Sequence, residues 1–245
     1  MKKYFVFLLL GAFLLLCGAE KWNGAVCFTF DDYAGANWLK ADALFKKYNA
    51  HVTFFIVGNI TPQKLEVMKQ LQQAGHSIGL HSIHHLNAVP LPQKWRMKDY
   101  FDREVKPQLE LCRKAGINVK GFAYPNNRRS EATDGELFKH FDYLRAGLGK
   151  AKKTLFYASK DVKGKMVLGG GGIGAFYKSD VNELKSKLKE AAESNTMIVF
   201  FSHDIYPGAK KVHMPTEMLE ELLKYAAQLK MKVVGINEIP SLVFR

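Results

Sequence analysis

The chain has 245 residues, of which 47% are hydrophobic, 12% aromatic and 24% charged. These values are typical of a globular protein, so they exclude an intrinsically disordered chain, and the length suits one or two domains. The formal net charge of +13 suits an anionic partner such as a cell-wall polymer, an acidic polysaccharide or a membrane surface, although lysines scattered over solvated helix faces are the simpler explanation. No basic run interleaved with aromatic residues is present, so nucleic acid is not expected as a partner.

The first twenty residues have the organisation of a secretory signal. Lys2 and Lys3 precede an apolar run over residues 4–16, and small residues follow. This run is shorter than the roughly 20 residues that span a bilayer. We expect residues 1–19 to be a signal peptide, which leaves one domain over residues 20–245 in a secreted, periplasmic or cell-envelope protein. A lipid anchor at Cys17 is the less favoured alternative, since bulky Leu16 precedes it. Cleavage removes two lysines and lowers the net charge from +13 to +11 (13 − 2).

Apolar strand-like segments alternate with helical segments along the remaining chain. Strands are predicted at 25–31, 51–58, 76–82, 119–125, 142–149, 196–204 and 232–236. Helices are predicted at 36–48, 62–75, 97–115 (with an interruption near Pro107), 134–141, 180–195 and 216–230. Residues 151–177 are expected to be less regular. The alternation predicts a parallel sheet covered by helices, either a closed barrel or an open doubly wound sheet.

Polar residues stand at the carboxyl ends of five predicted strands, where parallel α/β folds place their chemistry. These residues are Asp31–Asp32, His81–His85, Asn126–Asn127, Arg145 and His203–Asp204. Three of the five groups contain a carboxylate, an imidazole or both. The sequence therefore predicts a functional site at one end of the sheet.

Two histidines and one aspartate of this set have the composition of a catalytic zinc site. His81 and His85 are four residues apart, so a helical or tight-turn backbone turns both side chains the same way. Asp32 as a third ligand leaves positions open for water and substrate. Because successive strand residues point to opposite sides, Asp31 and Asp32 should have different tasks. One can bind the metal while the other takes a proton from water.

His203 follows an apolar strand, where an imidazole can protonate a leaving group or simply satisfy a backbone group. Asp204 either orients that imidazole or begins the next loop. The segment "GGGGIG" (169–174) lacks the Gly-Lys-Ser/Thr ending of a phosphate-binding loop and is interpreted as a flexible loop or a glycine-rich strand edge. Candidates for sugar stacking are Trp38 and Trp95, with helix packing as the alternative. Cys27 and Cys112 form either one disulfide or two buried thiols.

Four segments, "FTFDDY", "GHSIGLHSIHH", "GFAYPN" and "VFFSHD", resemble in order and spacing the motifs of the polysaccharide deacetylase family, the NodB-like group also called carbohydrate esterase family four. The resemblance implies a distorted (β/α)7-type barrel and a metal-dependent hydrolase that removes acetyl groups from the sugars of a polysaccharide. It implies one divalent metal, most often Zn²⁺ and otherwise Co²⁺ or Ni²⁺.

The resemblance also assigns a role to each site residue. It implies Asp31 as general base, His203 as general acid, and Asp32, His81 and His85 as metal ligands. Water on the metal attacks the acetyl carbonyl, and the backbone N–H of Asn126 stabilises the resulting oxyanion. Two alternatives to N-deacetylation stay open: an O-acetyl esterase acting on a xylan-type polysaccharide, and a weakly catalytic sugar-binding relative.

The sequence departs from the family pattern at three points. Ala123 stands where the third motif commonly has arginine, and Asn126 where it commonly has an aromatic residue. The fourth motif, an Asp followed by Trp, is not recognisable in "DYLRAGLGK". The missing arginine normally steadies the base carboxylate. Arg145, at the end of the next strand, is our candidate to replace its charge.

Overall fold

A computed structural model describes residues 22–149, 155–208 and 213–244. The predicted signal peptide at 1–19 and Cys17 lie outside these residues. The strands are β1 (Ala25–Phe30), β2 (Thr53–Ile56), β3 (Ser77–Leu80), β4 (Val119–Ala123), β5 (Tyr143–Gly147), β6 (Phe156–Ala158), β7 (Met166–Gly172), β8 (Thr196–Ser202), β9 (Asp204–Tyr206), β10 (His213–Pro215) and β11 (Lys232–Val233). The helices are α1 (Gly35–Lys47), α2 (Pro62–Gln73), α3 (Met97–Glu104), α4 (Lys106–Lys114), α5 (Glu131–Leu137), α6 (Val181–Glu193) and α7 (Thr216–Gln228).

Seven parallel strands close into a barrel in the order β1, β2, β3, β4, β5, β7, β8, because β8 pairs back onto β1. The barrel is distorted where β11 pairs with the beginning of β1, at Ala25 and Val26. Strand β2 pairs with β1 only further along, from Thr29 onward. Of the two architectures that the alternation allowed, the closed barrel is the one formed, and the predicted (β/α)7-type fold is confirmed.

The helix boundaries follow local chemistry. Thr61 accepts a hydrogen bond from the N–H of Lys64 and Pro62 occupies the first helical position, as expected for the start of α2. The helix predicted at 97–115 is two helices that meet at Val105, because Pro107 cannot continue the hydrogen-bonding pattern of α3. Helix α5 begins three residues earlier than predicted, since the side chain of Ser130 caps its first turn.

The main error of the sequence analysis concerns residues 151–177. This segment contains β6 and, more importantly, the barrel strand β7, whose sequence is MVLGGGG. Four consecutive glycines disfavour a strand by propensity. Pairing with β5 on one side and β8 on the other outweighs that preference. The glycine-rich strand edge, one of the two interpretations of this segment, is therefore part of the barrel wall.

Two apolar layers fill the molecule. One lies between the barrel and its helices, and the other fills the barrel interior. Alternate residues of each strand face inward, and the interior layer includes Cys27, Phe55, Ala123, Tyr143, Leu168 and Val199. The inward positions at the carboxyl ends of the strands are polar. Cys27 and Cys112 are free, buried thiols, which excludes the disulfide. Among the described residues, no helix is long and apolar enough to cross a membrane.

Candidate metal centre and active site

The two predicted histidine ligands lie in a tight turn that follows β3. The turn contains left-handed residues at Ser82 (φ 65°) and His85 (φ 55°). The His81 and His85 rings are 4.9 Å apart between centroids and meet edge to face. Asp32, which follows β1, is also left-handed, with φ 70°. Such single left-handed residues cost about 1–3 kcal/mol each and are enriched at functional sites.

These three side chains fit a divalent metal. The Oδ1 atom of Asp32 is 3.7 Å from His81 Nε2 and 3.8 Å from His85 Nε2, and the three donor atoms lie within 4.8 Å of one another. Tetrahedral zinc with bonds of about 2.1 Å places its ligand atoms roughly 3.4 Å apart, so small side-chain shifts suffice. Two imidazole nitrogens and one carboxylate leave a fourth position open, as in catalytic zinc sites.

The environment of His81 prepares its Nε2 atom for a metal. Its other ring nitrogen, Nδ1, is 2.8 Å from the carbonyl oxygen of Ala123. A carbonyl only accepts, so Nδ1 carries the proton and Nε2 keeps its lone pair. Burial lowers the pKa of His81, which favours the neutral imidazole that binds metals.

A buried carboxylate that the sequence analysis missed anchors the histidine turn. Glu104, at the end of α3, is 1% exposed. Its two carboxylate oxygens lie 2.8 Å from the backbone nitrogen and from Nδ1 of His84, the residue between the two ligands. Gln108 of α4 adds a hydrogen bond to the carbonyl of Ser82. The kink between α3 and α4 therefore positions the turn. Only the tertiary structure brings Glu104 to it.

Asp31 lies inside the barrel and is paired with Arg145. The Arg145 guanidinium donates a hydrogen bond to Oδ2 of Asp31, and the two residues are 0% and 3% exposed. Burial alone raises the pKa of the Asp31 carboxyl, but Arg145, with smaller contributions from His81 and His203, holds it below its usual range. The other oxygen, Oδ1, is buried with no partner among the described residues. Asp31 is thus ionised, with one oxygen held and one free.

The register of the barrel explains how Arg145 reaches this position. Arg145 pairs with Ala123 on the neighbouring strand β4, the position where the family commonly has arginine. The guanidinium carbon lies 4.6 Å above the Phe201 ring, and Asn127 accepts a hydrogen bond from Nη1 at 2.9 Å. Gly170 leaves the space for this side chain, since a Cβ there would lie 3.4 Å from Arg145 Cδ and 3.1 Å from the Phe201 ring. The small Ala123 and Gly170 flank the arginine on either side.

Asn126 is the middle residue of the tight 3-10 turn Pro125–Asn127, which follows β4, and it is left-handed (φ 51°). Pro125 has no N–H and the N–H of Asn127 donates to the carbonyl of Tyr124 at 3.0 Å, which leaves the N–H of Asn126 without an acceptor in the turn. Its side chain points away and donates to Oδ1 of Asn87. The arrangement suits the predicted backbone oxyanion role, which does not depend on the side chain.

His203 follows β8 on the same rim. Trp38, buried in the core, donates its indole N–H to the carbonyl of His203. Of the two roles left open for Trp38, sugar stacking and helix packing, packing is the one formed, because the side chain is fully buried. Asp204 accepts hydrogen bonds from the side chain of Asn37 and from the N–H of Ile205, so it shapes the loop rather than orienting the imidazole. Nδ1 of His203 is buried without a partner among the described residues.

A second residue that the sequence analysis missed is Tyr177, in the turn after β7. Its ring is half-buried and lies edge to face on Phe201, with centroids 5.4 Å apart. Burial, reinforced by the carboxylates of Asp31 and Asp32, raises the pKa of its phenol to about 12. The only sequence signal for it is an aromatic residue shortly after the glycine run. Trp95, the other stacking candidate, lies under Arg103 with 5.1 Å between the guanidinium carbon and the ring centroid.

Comparison with known proteins places the first three of the four motifs in a family. Residues 19–145 match the family model described as polysaccharide deacetylase. A segment of 97 residues is 32% identical to the peptidoglycan deacetylase of Helicobacter pylori and covers 40% of this chain. The same segment covers only 32% of the length of that relative.

Solved structures share the fold at low identity. The chitin deacetylase of Colletotrichum lindemuthianum superposes with a TM-score of 0.62 at 15% identity, over 89% of this chain and 88% of that one. A family 4 acetyl xylan esterase from Clostridium thermocellum, in complex with a cobalt ion, gives a TM-score of 0.59 at 19% identity over 89% and 90% of the two chains. At this level of identity, the likeness concerns the fold alone.

Proposed function

Because the chain belongs to the polysaccharide deacetylase family, we propose that it hydrolyses the acetamide of N-acetylated sugars in a polysaccharide, a carbon–nitrogen bond other than a peptide bond. The observation that carries the proposal is the donor set of Asp32, His81 and His85 beside an Asp31 carboxylate held by a buried arginine. The peptidoglycan deacetylase relative favours cell-wall glycan as the substrate.

The proposed cofactor is one divalent metal, held by Asp32 Oδ1, His81 Nε2 and His85 Nε2. Two imidazoles and one carboxylate favour Zn²⁺, with Co²⁺ or Ni²⁺ as alternatives. When bound, such an ion supplies Lewis-acid chemistry, lowering the pKa of water and stabilising charge on an acyl oxygen. Glu104 and the Ala123 carbonyl would hold the two histidines in position for it.

Different residues of the chain would accept the proton from water and donate the proton to the leaving group. Asp31 would accept a proton from the attacking water at its free Oδ1 atom, while Arg145 holds Oδ2 and keeps the carboxylate ionised and oriented. The backbone N–H of Asn126 would donate to the developing oxyanion. His203, which follows β8 on the opposite side of the barrel mouth from Asn126, would donate a proton to the departing sugar nitrogen. Acetate and a free amine are the products.

We also propose that the protein acts outside the cytoplasm, in the cell envelope or as a secreted protein. The support is the signal-like composition of residues 1–19 and the basic charge that remains after them. A basic catalytic domain is attracted to anionic cell-wall polymer or to a membrane surface. Detection of the mature chain beginning near Glu20 in an envelope or culture fraction would test this proposal.

Acetate release from a panel of N-acetylated and O-acetylated oligosaccharides, with and without a chelator, tests the reaction. We expect release from N-acetylglucosamine oligomers that stops on chelation and returns with Zn²⁺. Asp31→Asn should reduce it about 100- to 10,000-fold, the usual contribution of a general base. Release that persists through both changes would refute the mechanism. Preference for acetylated xylan would indicate the esterase, and binding without turnover under any metal would indicate the sugar-binding alternative.

Metal analysis tests the ligand set independently of turnover. Wild-type protein should retain about one divalent ion per chain after dialysis, and His81→Ala should retain much less. His140→Ala provides a matched control, because His140 is exposed on the surface, outside the site. Equal metal content in the wild type and His81→Ala would exclude the proposed centre.

A further inference from the structure

The Tyr177 ring packs against the barrel at a position where only glycine leaves enough space. The residue lies in the turn after β7, and its ring lies directly over Gly172, the last residue of that strand. A Cβ atom on Gly172 would lie 2.4 Å from a ring carbon of Tyr177, closer than real Cβ contacts come. Two glycines of the run thus have separate roles. Gly170 leaves space for the side chain of Arg145, and Gly172 lets an aromatic ring lie against the barrel rim.

The Tyr177 ring lies next to residues of the candidate active site. Phe201 contacts Tyr177 edge to face, lies 4.6 Å below the Arg145 guanidinium carbon, and is 6.4 Å from the His203 ring centroid. Strand β7 lies between β5, which carries Arg145, and β8, which leads to His203. The rings of Tyr177 and of His203, the residue proposed to protonate the leaving group, therefore both lie next to Phe201. Tyr177 is on the far side of the barrel from the histidine turn.

The hydroxyl of Tyr177 has no structural use in the protein. It makes no hydrogen bond to any of the residues in the described part of the chain, although the side chain is half-buried. Packing on Gly172 and Phe201 needs only the ring, for which phenylalanine would serve equally well. The hydroxyl oxygen is not one of the fully buried polar atoms without a partner, so it is open to solvent and to a ligand, and the phenol remains a protonated donor at neutral pH.

We propose that Tyr177 contacts the substrate, with its ring forming the β7 wall of the site and its hydroxyl donating a hydrogen bond to an oxygen of the sugar that bears the acetyl group. The sugar is the partner rather than the acetyl carbonyl because Asn126, assigned to the carbonyl oxygen, follows β4, whereas the leaving group faces His203, which follows β8. The inference rests on the proposed function and adds a determinant of sugar recognition to it.

Steady-state kinetics of Tyr177→Phe on two substrates test the inference. An N-acetylglucosamine oligomer presents the sugar oxygens, whereas a small aryl acetate ester lacks them. Loss of one hydrogen bond should lower kcat/KM for the oligomer about 2- to 10-fold, mainly through KM. The aryl ester should keep a kcat/KM close to that of the wild type. Equal losses on both substrates, or none on the oligomer, would overturn the inference.

Two glycine variants of the same strand give a matched pair. Gly172→Ala displaces the Tyr177 ring and should reproduce the selective loss on the oligomer. Gly171→Ala points to the opposite face, where its Cβ would meet Leu155 and Phe200 at an ordinary 3.4 Å, and should keep wild-type kinetics. If the wild type releases no acetate from any glycan, the proposed function fails. If it does, and both Gly172→Ala and Tyr177→Phe match it, only the role of Tyr177 fails.

Discussion

The two sides of the barrel mouth differ in how far they follow the family. On the side of β1 and β3, Asp31, Asp32, His81 and His85 stand at the motif positions. On the side of β5 and β7, the usual Asp-Trp motif is not recognisable in β5, and the next barrel strand, β7, is rich in glycine. The family match also ends at residue 145, at β5. The side with the candidate metal ligands and Asp31 is thus retained, while the side that supplies the arginine paired with Asp31 is rebuilt.

The comparison indicates that the arginine paired with Asp31 can be supplied by β5 instead of β4. Ala123 and Arg145 are register partners, so an arginine on either strand starts from the same height in the barrel. Side chains of neighbouring parallel strands are about 5 Å apart, a distance that a flexible arginine spans easily. What must be kept is a cation at the base, whichever strand supplies it.

The largest effect should come from removing that cation. Arg145→Met keeps most of the side-chain volume but leaves Asp31 buried and unpaired, which costs about 3–5 kcal/mol of stability. Loss of an oriented, ionised base should lower deacetylation about 100- to 10,000-fold. Urea denaturation and acetate release measure the two effects separately.

Returning the arginine to the family position provides the control for this variant. Arg145→Ala combined with Ala123→Arg should recover a large part of the activity that Arg145→Ala loses, because the two positions are paired in register. A merely structural role for Arg145 predicts no recovery. If Arg145→Ala alone retains full turnover, the assignment of Arg145 is wrong.

The next effect concerns the two histidines that flank β3. His76 precedes the strand and is satisfied within the protein: its Nδ1 accepts from the N–H of Val52 at 3.2 Å, and its Nε2 lies 3.3 Å from Asp42 Oδ1. Burial, opposed by Asp42, lowers its pKa from 6.5 to about 4. His81 follows the strand and leaves Nε2 open. The same residue type is structural at one end of β3 and a candidate ligand at the other.

The depressed pKa of His76 predicts acid sensitivity. Between pH 6.5 and about pH 4, the unfolded chain binds a proton at this site that the folded chain does not. Stability is therefore full above pH 6.5 and falls by about 3 kcal/mol as the pH drops to about 4. His76→Gln, which offers an acceptor and a donor but does not titrate, should flatten this part of the curve of unfolding free energy against pH. An identical slope in both proteins would contradict the prediction.

The smallest effect should come from the anchor of the histidine turn. Glu104→Gln replaces a carboxylate that accepts two hydrogen bonds from His84 by an amide that accepts at only one atom. Metal affinity should fall about 10- to 100-fold, the usual effect of altering an outer partner of metal ligands. Competition with a metal-binding dye measures it. Glu110→Gln, on the exposed side of α4, is the control, and equal affinities in all three proteins would exclude the anchoring role.

Much of the fold was readable from sequence because its signals are local. Alternating apolar segments predicted the parallel strands and most helices, and Thr61 with Pro62 marked the start of α2. Strand β7 was missed because glycine carries no apolar signal and its pairing with β5 and β8 is a tertiary fact. Tyr177 and Glu104 were missed for a related reason, since neither stands in a motif and each reaches the site from another element.

By itself, the sequence determined the candidate ligands and the candidate base, because residues adjacent in the chain or four apart in one turn have their relative placement set by the local backbone. Barrel closure, the pairing of Arg145 with Asp31, the turn held by Glu104 and the seat of Tyr177 on Gly172 were decided only by the tertiary structure. Those contacts join residues far apart in the chain, and they depend on strand register and on the space that glycine and alanine leave inside the barrel.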